Sequence, residues 1–174
     1  MTWPWLRSCG RDMSDKCRVG IGFDVHALSP GRSLVLGGVE IPFHLGLAGW
    51  SDADVLTHAV IDALLGAAAL GDIGSHFPPG EPEYKDISSL ILLEKTGRKL
   101  AENGWQVGNI DATVVAERPR LADFIDPMRR RLGQALGIET DRVSVKATTA
   151  DKLGFTGRGE GIAAHAVAMI EEKE

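Results

Sequence analysis

Two stretches, Arg18-Val-Gly-Ile-Gly-Phe-Asp-Val-His26 and Ser51-Asp-Ala-Asp-Val-Leu-Thr-His-Ala-Val-Ile-Asp-Ala-Leu-Leu-Gly-Ala-Ala-Ala-Leu70, decide the fold class. The first reads as a strand. The second opens on Ser51-x-x-Asp54, a start resembling a capping box with Asp in place of Glu or Gln, and predicts a helix to about Leu70. Its apolar positions Leu56, Val60, Ala63, Leu64 and Ala67 recur at helical spacing. Working outward, 33–41 predicts two short strands around Gly37-Gly38, and the Gly- and Pro-rich run from Gly71 to Pro82 a connection. A second helix is expected from Ser88 or Ser89 to Asn103, and a third from Leu121 to Leu136 with Pro127 near its start. Asn109–Glu117, Arg142–Thr149 and Gly161–Ile170 predict further strands. Alternating strands and helices in one such chain imply an α+β domain, a mixed sheet of about four long strands with helices on one face.

The 174 residues suit one core. With 19 Lys and Arg against 24 Asp and Glu, the net charge of −5 gives no electrostatic support to a nucleic-acid partner. An acidic chain that handles phosphates must therefore supply positive charge locally. Cys9 and Cys17 form no C-x-x-C pair, which argues against a disulfide framework and for a reducing, cytoplasmic setting. Nothing predicts a membrane span, because Asp54, His58 and Asp62 interrupt the most apolar run. Residues 1–17 lack the apolar region of a signal peptide and are expected to be a disordered extension, with Met13 an alternative start. Residues 18–172 form the expected single domain.

Asp24 and His26 are two apart in a strand, so their side chains share a face. His58 lies in the helix, with Asp54 a turn before it and Asp62 a turn after. Asp24, His26 and His58 could offer one oxygen and two nitrogens to zinc, leaving a position open as catalytic sites do. Asp54 or Asp62 could then orient His58 through its second nitrogen. The competing reading leaves Asp24 and His26 at an exposed strand end and His58 on a helix surface.

Lys146-Ala-Thr-Thr-Ala-Asp-Lys-Leu-Gly-Phe-Thr-Gly-Arg-Gly-Glu-Gly161 interleaves glycines with hydroxyls, a pattern that suits an anion nest or an unliganded hairpin. It matches neither the P-loop nor the dinucleotide fingerprint. Gly71-Asp-Ile-Gly-Ser-His-Phe-Pro-Pro79 is dense for a connector and could wrap a polyol. Ala116-Glu-Arg-Pro-Arg-Leu121 joins a strand end to a helix start, where ligands often sit.

Together these segments resemble the 2-C-methyl-D-erythritol 2,4-cyclodiphosphate synthases, over about Arg18 to Ile170. The resemblance rests on collinear motifs: Gly20 to His26, Ser51 to His58, Asp62 to Gly74, Lys146 to Thr149 and Lys152 to Gly161. It implies conversion of a CDP-linked methylerythritol 2-phosphate to a cyclic diphosphate and CMP, in bacterial non-mevalonate isoprenoid biosynthesis. It implies a homotrimer with active sites between subunits.

By the same resemblance Asp24, His26 and His58 bind zinc, and Asp151 binds a second divalent cation, magnesium or manganese, where the family commonly has glutamate. Ala116, Pro119, Arg120, Leu121 and Thr148 hold the cytidine end, and Thr149 stands among both the binding and the catalytic residues. Asp72, Ile73, Gly74 and Phe77 meet the erythritol. Asp24, Val25, His26, Trp50 and Ser51, with Asp151, Phe155 and Arg158, complete the substrate contacts. No protein nucleophile is implied, and the chain has no G-x-S-x-G motif. One position departs. The family usually has histidine before Ser51-Asp52, as a catalytic residue that stabilises the transition state, and here it is Trp50. Tryptophan carries one N–H donor and no positive charge. The alternative to an enzyme is a metal-stabilised trimer that binds isoprenoid or nucleotide diphosphates with impaired turnover.

Overall fold

The computed structural model describes residues 17–173. The expected N-terminal extension lies outside them except for Cys17, the first residue of strand β1 (Cys17–Ser29). There follow β2 (Leu34–Leu36), β3 (Val39–Ile41), β4 (Gly46–Leu47), α1 (Val55–Ala67), α2 (Ile73–His76), α3 (Ser89–Glu102) and β5 (Trp105–Val115). The chain ends with α4 (Ile125–Leu136), β6 (Val143–Thr148), α5 (Gly154–Gly157) and β7 (Gly161–Glu172).

The main sheet runs β4-β1-β7-β5-β6. It is mixed: β5 and β6 are parallel, and the other pairs antiparallel. β2 and β3 form a separate hairpin turning at Gly37-Gly38, both at positive φ. Helix α1 packs on β1, β7 and β5, α3 packs on α1 and β5, and α4 on α3 and β6. The core lies between, with Leu56, Ile61, Leu64, Leu93, Ile110 and Met128 fully buried. No helix among the described residues is long and apolar enough to cross a membrane.

Apolar residues occupy one face of β1 and glycines the other, and the glycines decide which face meets the helix. A Cβ on Gly22 would stand 1.9 Å from the Ala59 carbonyl oxygen, and one on Gly20 2.1 Å from that of Ala63. Only a bare backbone lets α1 sit this close. The obstacle is backbone, which cannot swing aside. Gly22→Ala is expected to cost about 1–3 kcal/mol or more through overpacking, measured as a lower midpoint in urea unfolding at unchanged slope. An unchanged midpoint would mean that the helix–sheet contact is loose.

The odd-numbered residues of β1 face away from the helices. Ile21 is 73% exposed and Phe23 50%, with Val19, Val25 and, from β7, Val167 also exposed. Ile21 pairs with Val167 across the strands, so these side chains form one apolar patch.

Several expected boundaries move. Asp54, not Ser51, caps α1, its carboxylate accepting from Thr57 N–H. Asp54 also accepts from the Gly37 and Gly38 N–H groups at 2.9 and 2.7 Å, tying the hairpin to the helix start. The third helix begins at Ile125 because 122–124 form a tighter 3₁₀ turn. β5 starts at Trp105, and an irregularity between Val107 and Asn109 breaks the alternation that marks a strand. α2 and α5 lie in stretches read as a connection and a hairpin. Four residues are too few to display helical periodicity.

Candidate metal centre and active site

β1 brings Asp24 and His26 to its helix-facing side, and α1 places His58 against them. Asp24 Oδ2 lies 2.9 Å from His58 Nδ1 and 3.0 Å from His26 Nε2, and the two histidine nitrogens are 3.2 Å apart. These separations are close to the edge of about 3.3 Å in a tetrahedron with zinc bonds of about 2.0–2.1 Å. His26 Nδ1 is 2.6 Å from the Ala48 carbonyl oxygen, which can only accept. In a neutral His26 the proton therefore sits on Nδ1, and Nε2 turns its lone pair toward the other two atoms. An oxygen and nitrogen lone pairs aimed at one point make a donor set suited to a divalent cation.

Burial opposes ionisation of Asp24, but the hydrogen bonds and charges of His26 and His58 outweigh it and hold the carboxyl well below the usual range. Burial also disfavours a charged His26, yet the adjoining Asp24 and the Ala48 carbonyl raise its pKa on balance. Asp24 thus stays a carboxylate, the one negative side chain of the cluster.

Neither Asp54 nor Asp62 orients His58, contrary to the expectation from helical spacing. Asp54 is spent on the cap and the hairpin, and Asp62 Oδ1 accepts from Ile73 N–H at the start of α2. The outer nitrogen of His58, Nε2, instead meets Ser89 Oγ at 2.9 Å and Ser51 Oγ at 3.2 Å. Sequence spacing does not point to Ser89, because 31 residues separate it from His58.

Ala116, Pro119, Arg120, Leu121, Thr148 and Thr149 all line one cleft of about 1170 Å³. The parallel pairing of β5 and β6 brings them together by setting Val115 beside Thr148. Asp151 is exposed in the following turn at φ 50°, with Thr149 Oγ1 donating to its carboxylate at 3.3 Å. Aspartate tolerates left-handed backbone better than most residues. Arg158 pairs with Glu160 at 2.7 Å and lines a second cleft of about 460 Å³ with Arg118 and Lys152. Phe155 is exposed at α5. Asp72 caps α2, accepting from Ser75, so Ile73 and Gly74 lie in that helix's first turn.

Three other expected contacts have side chains that face away or are engaged elsewhere. Val25 points to the open face of the sheet, opposite Asp24 and His26. The Phe77 ring is buried in the core, edge-on to Tyr84. Trp50 turns its single donor to the Glu81 carbonyl at 2.9 Å, while its own carbonyl accepts from Asp86 N–H.

A two-histidine, one-carboxylate cluster on a mixed α+β sheet, with a cleft at the strand ends, places the chain in a known class. Residues 17–171 match the model of the YgbB family, and the chain belongs to it. It is 60% identical over 156 residues to the 2-C-methyl-D-erythritol 2,4-cyclodiphosphate synthase of Dehalococcoides mccartyi, covering 90% of this chain and 99% of that one. To the enzyme of the same name from Moorella thermoacetica it is 59% identical, covering 90% and 96%. Among solved structures it superposes on the bifunctional IspDF of Campylobacter jejuni with TM-score 0.88 and 41% identity. That match covers 91% of this chain and 43% of the longer one. The CDP complex of Plasmodium falciparum IspF gives TM-score 0.80 at 28% identity, covering 92% and 99%.

Proposed function

We propose that this chain converts 4-diphosphocytidyl-2-C-methyl-D-erythritol 2-phosphate to 2-C-methyl-D-erythritol 2,4-cyclodiphosphate and CMP, as a phosphorus–oxygen lyase of non-mevalonate isoprenoid biosynthesis. Residues 18–172 are the synthase domain and the bacterial cytoplasm its location. The observation that carries the reading is the convergence of Asp24, His26 and His58 in a chain 60% identical to enzymes of that name.

An oxygen of the 2-phosphate forms a bond to the β-phosphorus. The bond from that phosphorus to the bridging oxygen breaks, and CMP leaves with the oxygen. No side-chain nucleophile takes part, so the chain's task is to fold a flexible substrate into attacking geometry. Positioning of this kind supplies roughly 7–11 kcal/mol. The cleft bounded by Ala116, Pro119, Arg120, Leu121 and Thr148 takes the cytidine end. Asp72 with the first turn of α2 takes the erythritol. The Thr149 hydroxyl faces the diphosphate beside Asp151, and Ser51, Phe155 and Arg158 complete the surroundings. Asp24, His26 and His58 would hold zinc, and Asp151 magnesium or manganese. Bound cations supply the positive charge that offsets the phosphate oxygens in an acidic chain.

A homotrimer follows from the same reading. Support comes from the apolar patch around Ile21 and Phe23, which a lone chain leaves to water; in a trimer a neighbour's Thr148–Thr149 segment would complete each site. Light scattering should give three times the 18.6 kDa chain mass, with a melting temperature that rises with concentration. A fully active monomer would refute the assembly.

One observation favours a second reading, a diphosphate-binding trimer with impaired turnover: the Trp50 donor is already engaged by Glu81. CMP release from the CDP-linked substrate with added magnesium or manganese, and its loss with a chelator, supports the enzyme. Tight CDP binding without release supports the second reading.

A further inference from the structure

Behind the candidate metal ligands lies a relay that reaches the start of α3. Ser89 is fully buried in the first turn of that helix. Its N–H donates to Asp52 Oδ2 at 2.9 Å, and its hydroxyl also hydrogen-bonds the Asp52 carboxylate. The same hydroxyl oxygen stands 2.9 Å from His58 Nε2.

A hydroxyl has one hydrogen, and a carboxylate only accepts. The Ser89 hydrogen therefore goes to Asp52, and the contact with His58 must run the other way, with Nε2–H donating to Ser89 Oγ. Ser51 Oγ, at 3.2 Å, carries a hydrogen that can rotate, so it accommodates either arrangement. With the proton on Nε2, a neutral His58 keeps its lone pair on Nδ1. That atom lies 2.9 Å from Asp24 Oδ2 and 3.2 Å from His26 Nε2, three lone pairs that only a cation or a proton between them can match.

We propose that Ser89, polarised by Asp52, is a positioning residue that locks His58 in the Nε2–H tautomer and so presents Nδ1 to a divalent cation. The proposal rests on the metal reading of Asp24, His26 and His58. Asp52 acts without touching the cluster, through the direction of one hydrogen bond.

That direction can be reversed without changing shape. In Asp52→Asn, the backbone N–H of Ser89 cannot turn round, so the amide oxygen must take it and the NH₂ group faces Ser89 Oγ. The competing bond, Asp54 N–H to Asp52 Oδ1, is longer at 3.3 Å and yields first. Ser89 then donates to His58 Nε2, and the proton moves to Nδ1, where it blocks the cation. Ser89→Ala removes the acceptor altogether, and Ser89→Thr restores it.

Two measurements on the full chain test this. Zinc affinity, by competition with a coloured chelator, is expected to fall about 10–100-fold in Asp52→Asn and Ser89→Ala, while Ser89→Thr keeps the parent value. Nitrogen-15 histidine spectra of the metal-free protein at alkaline pH, in chains that also carry Asp24→Ala so that no carboxylate competes for the Nδ1 proton, should show Nε2–H on His58 with Asp52 intact and Nδ1–H with Asp52→Asn. Because the spectra need no metal, a parent chain that fails to bind zinc would defeat the metal reading and leave the tautomer measurement valid. If Ser89→Ala does not fold, the isosteric Asp52→Asn carries the test. An Nδ1–H signal with Asp52 intact in these chains overturns the proposal. So does an Asp52→Asn chain with the His58 tautomer unchanged, even with weakened zinc binding, since Asp52 would then matter for packing alone.

Discussion

Replacing Trp50 with histidine is expected to raise turnover by about 10²–10³-fold, the usual worth of one charge-stabilising donor at a reacting centre. The expectation starts from a donor count. Indole has a single N–H and cannot become a cation, and in this chain that N–H is held by the Glu81 carbonyl at 2.9 Å. The backbone of Trp50 also accepts from Asp86 N–H, so the residue serves as an anchor for the segment from Pro78 to Ile87. No side-chain donor remains at position 50 to meet a phosphate oxygen as charge moves onto it. Histidine would restore a donor able to carry charge, at the cost of the anchor to Glu81. A modest rise in KM can therefore accompany the gain in kcat. Zinc content should not change, because position 50 lies outside the cluster of Asp24, His26 and His58. Equal turnover in the two proteins would show that the position is not critical to the chemistry.

His58→Ala is expected to abolish both zinc retention and activity. It removes the one ligand supplied by α1 and leaves Asp24 and His26 alone on β1. Two ligands from one strand do not close a tetrahedral site, and loss of a direct ligand should exceed the 10–100-fold effect typical of an outer partner. Elemental analysis should find about one zinc per parent chain and almost none in the variant. The backbone should tolerate the change, since α1 is held by Leu56, Val60 and Leu64 in the core. Full zinc content in a folded His58→Ala protein would mean that the cluster is wrongly assigned.

The strand at 18–26 and the helix after Asp54 are legible in the sequence because each shows its own periodicity over enough residues to count. The spacing of Asp24 and His26 likewise puts both on one face, since a strand alternates its side chains. Proximity in sequence misleads for the partner of His58. Helical spacing nominates Asp54 and Asp62, yet the cap and the start of α2 claim those carboxylates, and Ser89 arrives from another helix. Such a contact is set by how α1 packs on α3, which no local pattern encodes. The cleft presents the same contrast. The family resemblance identifies its residues segment by segment, but that 116–121 and 148–149 share one wall depends on the β5–β6 register. Val25 and Phe77 are legible as positions and not as directions, since pleat and core packing decide where their side chains point.

The central claim is an intramolecular phosphoryl transfer, and phosphorus NMR of the products tests it most directly. With the CDP-linked 2-phosphate substrate and magnesium or manganese, the account predicts equal amounts of CMP and a cyclic diphosphate, whose two phosphorus signals are coupled to each other. CMP accompanied by an open-chain 2,4-bisphosphate, whose two phosphorus signals are not coupled to each other, would mean that water, not the substrate's own phosphate, attacks the β-phosphorus, and would contradict the account.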